Sequence, residues 1–391
     1  MELSNSDLKK LYDFRHELHR FPEISGEERE TARRVQTFLE QSNPDEIVTG
    51  LGGQGIAALY RGQEEGPTVL LRCELDALPI QELSTKPYRS TVEGRGHLCG
   101  HDGHMTMISA VGLALGRQRP VRGCVVLLYQ PAEETGAGAA AVLADPAYRT
   151  LPQPDYAFSL HNVPGIPVGT ALLKSGATNC ASRGFRIVLE GKTSHASNPE
   201  DGLSPMEAMS ELMPRLSSLS RGDLDDPDHF RLVTVTHARL GEPTFGIAPG
   251  YGEIRATLRT ATDQQMNALK NQVTGLVEDA ADRYSLSVRT EEHDIFQSCE
   301  NDGDAVVLLE KAIRSQGLQL ETQERPMRWS EDYGLFGKTD PEKGKQTRSA
   351  IFFPGSGADQ PQLHNPDFDF PDDLIPLGAG VFLAVVRDLL G

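Results

Sequence analysis

The chain is expected to fold as an α/β protein that carries a smaller two-layer α+β domain as an insertion. Three observations predict this. Up to about residue 181, apolar runs of strand length alternate with helix-spaced segments, and polar motifs follow directly after the strands. From 182 to 295 the order becomes β-α-β-β-α-β. From 296 the first texture returns. The expected division is therefore 1–181 with 296–391 as one domain and 182–295 as the other, reasonable for 391 residues.

The elements follow from local patterns. Leu8, Leu11, Tyr12 and Leu18 recur at helical spacing with Arg15 on the same face; Ser4 or Asn5 can cap this helix and Phe21-Pro22 ends it. A second amphipathic helix follows Ser25, with Glu28 placed for a capping box. Residues 56–61 and 68–73 read as strands, the second buried and leading into Glu74-Leu75-Asp76. A helix is expected over 104–115 and a buried strand over 124–129. A Gly/Ala-rich helix then runs to about Ala144, and a strand over 156–160 ends at His161. In the insertion, 185–190, 232–240, 252–259 and 286–293 read as strands, and 203–219 and 262–284 as helices. The last part offers a helix over 304–316, a strand over 350–353 and a closing helix from Leu374; 338–347 reads as a surface loop.

Composition excludes several classes. Hydrophobic residues make up 38% and charged residues 24%, an ordinary globular balance. A formal net charge of −18 opposes binding to nucleic acid or anionic lipid. The start, Met1 to Asp7, is polar and acidic, without the pattern of a signal peptide, and no apolar run is long enough to span a membrane. The five cysteines are scattered at 73, 99, 124, 180 and 299, which is no disulfide framework. A reducing, cytoplasmic setting is expected, and it would keep Cys99 available as a thiolate.

Chemistry concentrates at strand ends. Cys99-Gly100-His101-Asp102-Gly103-His104 places a soft thiolate two residues from an imidazole, the side chains that hold a divalent transition metal. Glu133-Glu134, His161 and His364 offer further ligand types, three of these four features directly following strands. A hydrolytic metal site needs one carboxylate on the metal and one to take a proton from water, and adjacent glutamates can divide that labour. Alone, Glu133-Glu134 would read as a solvated helix start, and each histidine as a packed or surface residue.

Taken together, these motifs resemble the M20 metallopeptidase family, in its amidohydrolase branch of hippurate hydrolases, N-acyl-amino-acid aminoacylases and auxin-conjugate hydrolases. The matching segments are Arg15–Glu23, Leu71–Ile80, Cys99–His104, Gln130–Glu134, Leu160–Asn162, Gly191–Ala196, Ser330–Tyr333 and Leu363–Asn365, in order over nearly the whole chain. The resemblance implies a zinc-peptidase-like catalytic domain with an inserted lid or dimerisation domain. It implies two divalent ions (zinc, manganese, nickel or cobalt) held by Cys99, His101, Glu134, His161 and His364, with Cys99 placed to bridge them. Glu133 would be general base and then general acid, and Asp76 would orient a ligand beside the metals. His195 would reach a neighbouring subunit's site and stabilise the oxyanion, and Arg259 would meet a substrate carboxylate.

Without the resemblance, Asp76 reads as a cap, His195 as a loop histidine and Arg259 as an ion-paired strand residue. His97, Asp102 and His104 are read as support residues. His16 and His19 are read as packing or tethering the N-terminal helix.

Two departures from the family pattern stand out. Glu74-Leu75-Asp76 replaces the usual Asp-Met-Asp, and Gly246-Ile247-Ala248-Pro249 replaces the lid segment Asn-Val-Ile-Pro. The expected activity is hydrolysis of the amide of an N-acyl amino acid or similar small conjugate by a homodimer. The rivals are a dipeptidase or carboxypeptidase, and a non-catalytic metal-binding scaffold, which would have no need of Glu133.

Overall fold

A computed structural model describes residues 3–338 and 346–391. Residues 339–345 of the loop expected over 338–347, and the first two residues of the polar start, lie outside the described residues. The chain opens with α1 (Asn5–Arg20), α2 (Arg29–Glu40), β1 (Glu46–Leu51), β2 (Gly55–Arg61), β3 (Glu64–Glu74), α3 (His101–Arg117) and β4 (Arg122–Gln130). Next come α4 (Gly138–Ala144), α5 (Pro146–Thr150), β5 (Tyr156–Leu160), β6 (Val163–Pro164), β7 (Thr170–Leu173), β8 (Gly176–Asn179), β9 (Ala181–Glu190) and β10 (Ser194–His195). Then follow α6 (Met206–Ser217), β11 (Arg231–Leu240), β12 (Ile247–Ala248), β13 (Tyr251–Thr260), α7 (Asp263–Arg283) and β14 (Ser287–Phe296). The chain ends with β15 (Cys299–Asn301), α8 (Gly303–Ser315), β16 (Gln319–Thr322), β17 (Arg348–Gly357) and α9 (Leu374–Leu390).

Two compact units result. The larger comprises Met1–Thr178, Glu300–Glu324 and Asp332–Gly391; the smaller comprises Asn179–Cys299 and Arg325–Glu331. The short return of Arg325–Glu331 to the smaller unit has no counterpart in the expected boundaries. It is made by local pairing: Asn179 and Met327 form a parallel bridge, and Cys180 N–H donates to the Met327 carbonyl at 3.0 Å.

The larger unit is built on one sheet of strand order β1-β2-β4-β3-β5-β17-β7-β16, with β6 beside β17. Its centre, β4-β3-β5-β17, is parallel throughout. Such strands are covered on both faces, which is why Val69 to Cys73 and Val125 to Tyr129 are uninterrupted buried runs. Leu11 and Leu18 of α1, Met105, Ile108 and Val111 of α3, and Val381, Phe382 and Val385 of α9 join the same core.

The helix starts explain the local sequence. Ser4 caps α1 in a full capping box with Asp7. The capping box expected with Glu28 does not form. Arg29 is the first helical residue, so Glu28 occupies the cap itself, and its carboxylate accepts from Gly26 N–H and Ala132 N–H instead. Helix α3 begins at His101, a turn earlier than expected, because Gly100 enters it at φ +98°. A side chain on Gly100 would also strike Asn162 Oδ1 at 2.3 Å, so only glycine brings this loop so close to the end of β5.

The smaller unit holds an antiparallel sheet of order β11-β13-β9-β14, with α6 and α7 packed on it through Leu212, Leu216, Leu269, Val273 and Val277. This is the two-layer α+β arrangement expected for the insertion. The pair β10 and β12 sets His195 opposite Ile247.

Candidate metal centre

The parallel strands bring the motifs to one edge. Glu74 ends β3, Gln130 ends β4 just before Glu133-Glu134, Leu160 ends β5 just before His161, and His364 follows β17. Open α/β sheets place their sites at this carboxyl edge. Cys99 and His101 arrive there at the start of α3.

Among the described residues five groups of donor atoms lie within 4.8 Å of one another; besides Glu74 with His101 and His104, and Glu133 with Glu331 and Asp332, three gather the expected ligands: Cys99 with His101 and His161; Cys99 with Glu134 and His364; and His101 with Glu133 and Glu134. The triad with His101 and His161 and the triad with Glu134 and His364 share Cys99. Nε2 of His161 lies 3.4 Å from Cys99 Sγ. Glu134 lies 3.8 Å from His101 Nε2 through one oxygen and 3.6 Å from His364 Nε2 through the other.

The imidazoles are aimed as ligands. His101 Nδ1 donates to the Asp76 carbonyl at 2.9 Å, and His161 Nδ1 donates to the Asn162 carbonyl at 3.0 Å. A carbonyl only accepts, so in each neutral ring the proton sits on Nδ1 and the lone pair on Nε2, facing the cluster. Nε2 of His101 is buried without a hydrogen bond.

Charge points the same way. Burial pushes Cys99 well above the usual thiol range, and Glu134 and Glu133 push it further. Burial opposes a charged His101, but its bond to Asp76 and the charges of Glu74 and Glu134 raise it to about 10, so a cation binding at Nε2 would displace a proton from it. The cluster is over-supplied with negative charge, which divalent cations would neutralise, releasing the thiolate. Burial lowers His161, and partial burial together with nearby His101 lowers His364, keeping both neutral as ligation requires. The residues therefore fit a pair of cations.

A buried frame backs these residues. Asp76 Oδ2 accepts from Ser25 Oγ at 2.7 Å and from Glu134 N–H at 2.9 Å, so one residue holds His101 through its main-chain carbonyl and the glutamate pair through its carboxylate. Glu74 bridges Arg72 to His104, whose Nδ1 lies 2.7 Å from Glu74 Oε2 and whose Nε2 lies 2.7 Å from Asn162 Oδ1. Arg72 also donates to Asp332 at 2.6 Å, and Asp332 accepts from Gln130 Nε2 and Ala139 N–H. Sequence reasoning left Arg72 and Asn162 without a role. The signal for Arg72 is a charged residue inside an apolar strand, which is buried only with partners.

His195 and Arg259 belong to the smaller unit. His195 is exposed, and its Nδ1 lies 2.7 Å from Ser197 Oγ and 3.1 Å from Ser197 N. Arg259 Nη1 donates to the Arg328 carbonyl at 2.9 Å and to Ser330 Oγ at 3.0 Å. The expected alternative, an ion pair, is not formed: among the described residues Arg259 contacts no carboxylate. Gly246 has open space around its α-carbon.

A parallel-centred sheet with thiol, imidazole and carboxylate donors converging on its carboxyl edge defines a metallohydrolase type of centre. The sequence profile of peptidase family M20/M25/M40 matches residues 70–388, and the chain belongs to that family. It is an enzyme that hydrolyses amides. An N-acetylcysteine deacetylase of Bacillus subtilis (strain 168) is 28% identical over 382 residues, covering 96% of both chains. An N-acetyl-L-cysteine deacetylase of the same organism is 32% identical over 376 residues, covering 96% of this chain and 86% of that protein. A Bacillus subtilis dinuclear metal binding peptidase from the M20 family has the same fold, with a TM-score of 0.80, 26% identity and 99% of each chain covered. No helix among the described residues is long and apolar enough to cross a membrane.

Proposed function

We propose that this protein is a two-metal amidohydrolase that cleaves the amide of a small N-acyl amino acid, releasing a carboxylic acid and an amino acid. The observation that carries this reading is the pair of donor triads sharing Cys99, with Glu133 beside them. Cys99, His101 and His161 would hold one divalent ion and Cys99, Glu134 and His364 the other. When bound, the ions would supply Lewis acidity to the amide carbonyl and to water. The two deacetylase relatives support an N-acyl substrate.

The chain's own groups perform the proton transfers. Glu133 takes a proton from the attacking water and delivers it to the leaving nitrogen, so one carboxylate serves as base and then acid. Asp76 keeps His101 and Glu134 in register. His195 donates from its imidazole to the developing oxyanion from a partner subunit, in a homodimer formed through the smaller unit. Arg259, with no carboxylate of its own, receives the substrate's carboxylate. The setting is the cytoplasm, where Cys99 stays reduced.

The test combines metal analysis with a hydrolysis screen of N-acetyl and N-benzoyl amino acids and dipeptides. Glu133→Gln should lower kcat by about 10²–10⁴-fold and leave two ions per chain. Retained turnover in that variant would refute the role of Glu133, and a preference for free dipeptides would make the enzyme a peptidase instead.

A further inference from the structure

We propose that Arg15, supported by His19, is a positioning residue of the metal centre, holding the loop of His101 and the segment of His364 at a fixed separation. The proposal rests on the two-ion reading above. Arg15 lies on α1, outside the part of the chain that the family profile matches, and is wholly buried. Its guanidinium joins two distant stretches of chain. Nη1 donates to Asp102 Oδ2 at 3.0 Å and to Asp369 Oδ1 at 3.1 Å, and Nε donates to Asp372. Asp102 follows His101 in the first turn of α3, and Asp369 and Asp372 lie between His364 and α9.

The surroundings lock this fork. Tyr88 lies under the guanidinium, 4.8 Å from ring centre to Cζ, and its hydroxyl donates to Asp369 Oδ2 at 2.8 Å. His19, one turn further along α1, sits 2.9 Å from Asp102 Oδ2 and 3.2 Å from Glu82 Oε1.

Packing alone does not call for such a cluster. Helix α1 already buries Leu11, Phe14 and Leu18, and a buried ion network is often no more stabilising than apolar groups of the same size. What the network adds is geometry. His364 is held in the left-handed region at φ +66°, a conformation that persists in a non-glycine residue only where its surroundings over-determine it. On one side its N–H donates to the Leu98 carbonyl at 2.8 Å. On the other, its segment is fixed to α3 through Arg15. A planar fork bonding two segments sets angle as well as distance, which a lysine ammonium does not.

The experiment measures equilibrium binding of Zn²⁺ to the full-length, metal-stripped protein by competition with a chromophoric chelator, with thermal melting alongside. Three variants are compared with wild type: Arg15→Lys, Asp372→Asn and Arg117→Ala. Arg117 donates to Asp7 Oδ2 at 2.7 Å and ties the same two helices at the far end of α3 from Asp102. Wild type should bind two ions. Arg15→Lys and Asp372→Asn should weaken one ion by about 10–100-fold and leave the other within a few-fold. Arg117→Ala should lower the melting temperature without changing either affinity.

Wild-type affinities in Arg15→Lys and Asp372→Asn, or the same selective weakening in Arg117→Ala, would overturn the proposal while leaving the two-ion reading intact. Fewer than two ions on wild type would overturn that reading and the proposal with it. If Arg15→Lys does not fold, Asp372→Asn decides, since the Asp372 side chain is 26% exposed and the amide keeps its shape.

Discussion

At the scale of single residues, the buried charges near α1 make stability depend on pH. Burial opposes a charged His19, but Asp102 and Glu82 outweigh both burial and the repulsion from Arg15, raising the imidazole to about 9. His97, 6.4 Å away between ring centres, is pushed down to about 4 by burial and stays neutral. Because the folded-state value of His19 lies above its ordinary 6.5, its contribution is fully present below about pH 6.5. It fades as pH rises to about 9 and is absent above. Its full size is of order 3 kcal/mol. Urea unfolding at a series of pH values checks this: wild type should lose stability relative to His19→Gln between pH 6.5 and 9, and a constant difference would show that His19 does not carry the charge.

At the scale of elements, β10 and β12 place Gly246 beside the stretch that bears His195, where Ala196 N–H donates to the Gly246 carbonyl at 3.1 Å. With open space at Gly246, an asparagine fits without disturbing either strand. Gly246→Asn should leave the melting temperature unchanged and alter kcat/KM by roughly 3–10-fold across a panel of N-acyl amino acids, the worth of one neutral hydrogen bond. Uniform kinetics across the panel would show that this position does not read the substrate.

The same elements show what the sequence makes legible. The run from Val69 to Cys73 announces a buried parallel strand, and the motifs at its end and at the ends of its neighbours announce a site, because both signals are local. The sequence places the start of α3 a turn late, since Cys99–His104 is polar and its burial depends on contacts from the end of β5 and from the segment after His364. The partners of Glu74 are likewise out of reach: Arg72 is two residues away, but His104 comes from α3, where its other nitrogen meets Asn162 just after β5. Long-range pairing decides such roles, and one sequence does not display it.

At the scale of the whole molecule, the two units have separate cores. The proposed ions bind only within the larger unit, so removing them acts on that unit alone. Ligands that bind the folded state stabilise it by RT ln(1 + [L]/Kd), about 4 kcal/mol at a thousandfold excess over Kd. Calorimetry with and without a strong chelator should therefore show a lowered transition for the larger unit and an unchanged one for the smaller. Equal shifts in both would mean that the two cores unfold as one.

The Arg325–Glu331 segment has a consequence for how this architecture can be exchanged between proteins. Arg259 is fastened to Arg328 and Ser330, and Cys180 to Met327, across a long gap in the chain. A cassette cut at the obvious borders of the insertion and grafted elsewhere would arrive without the peptide that seats its arginine. Recombination that transfers this unit with Arg259 seated must carry two separate stretches of gene, so its inheritance is bipartite even though its strands look like one contiguous block.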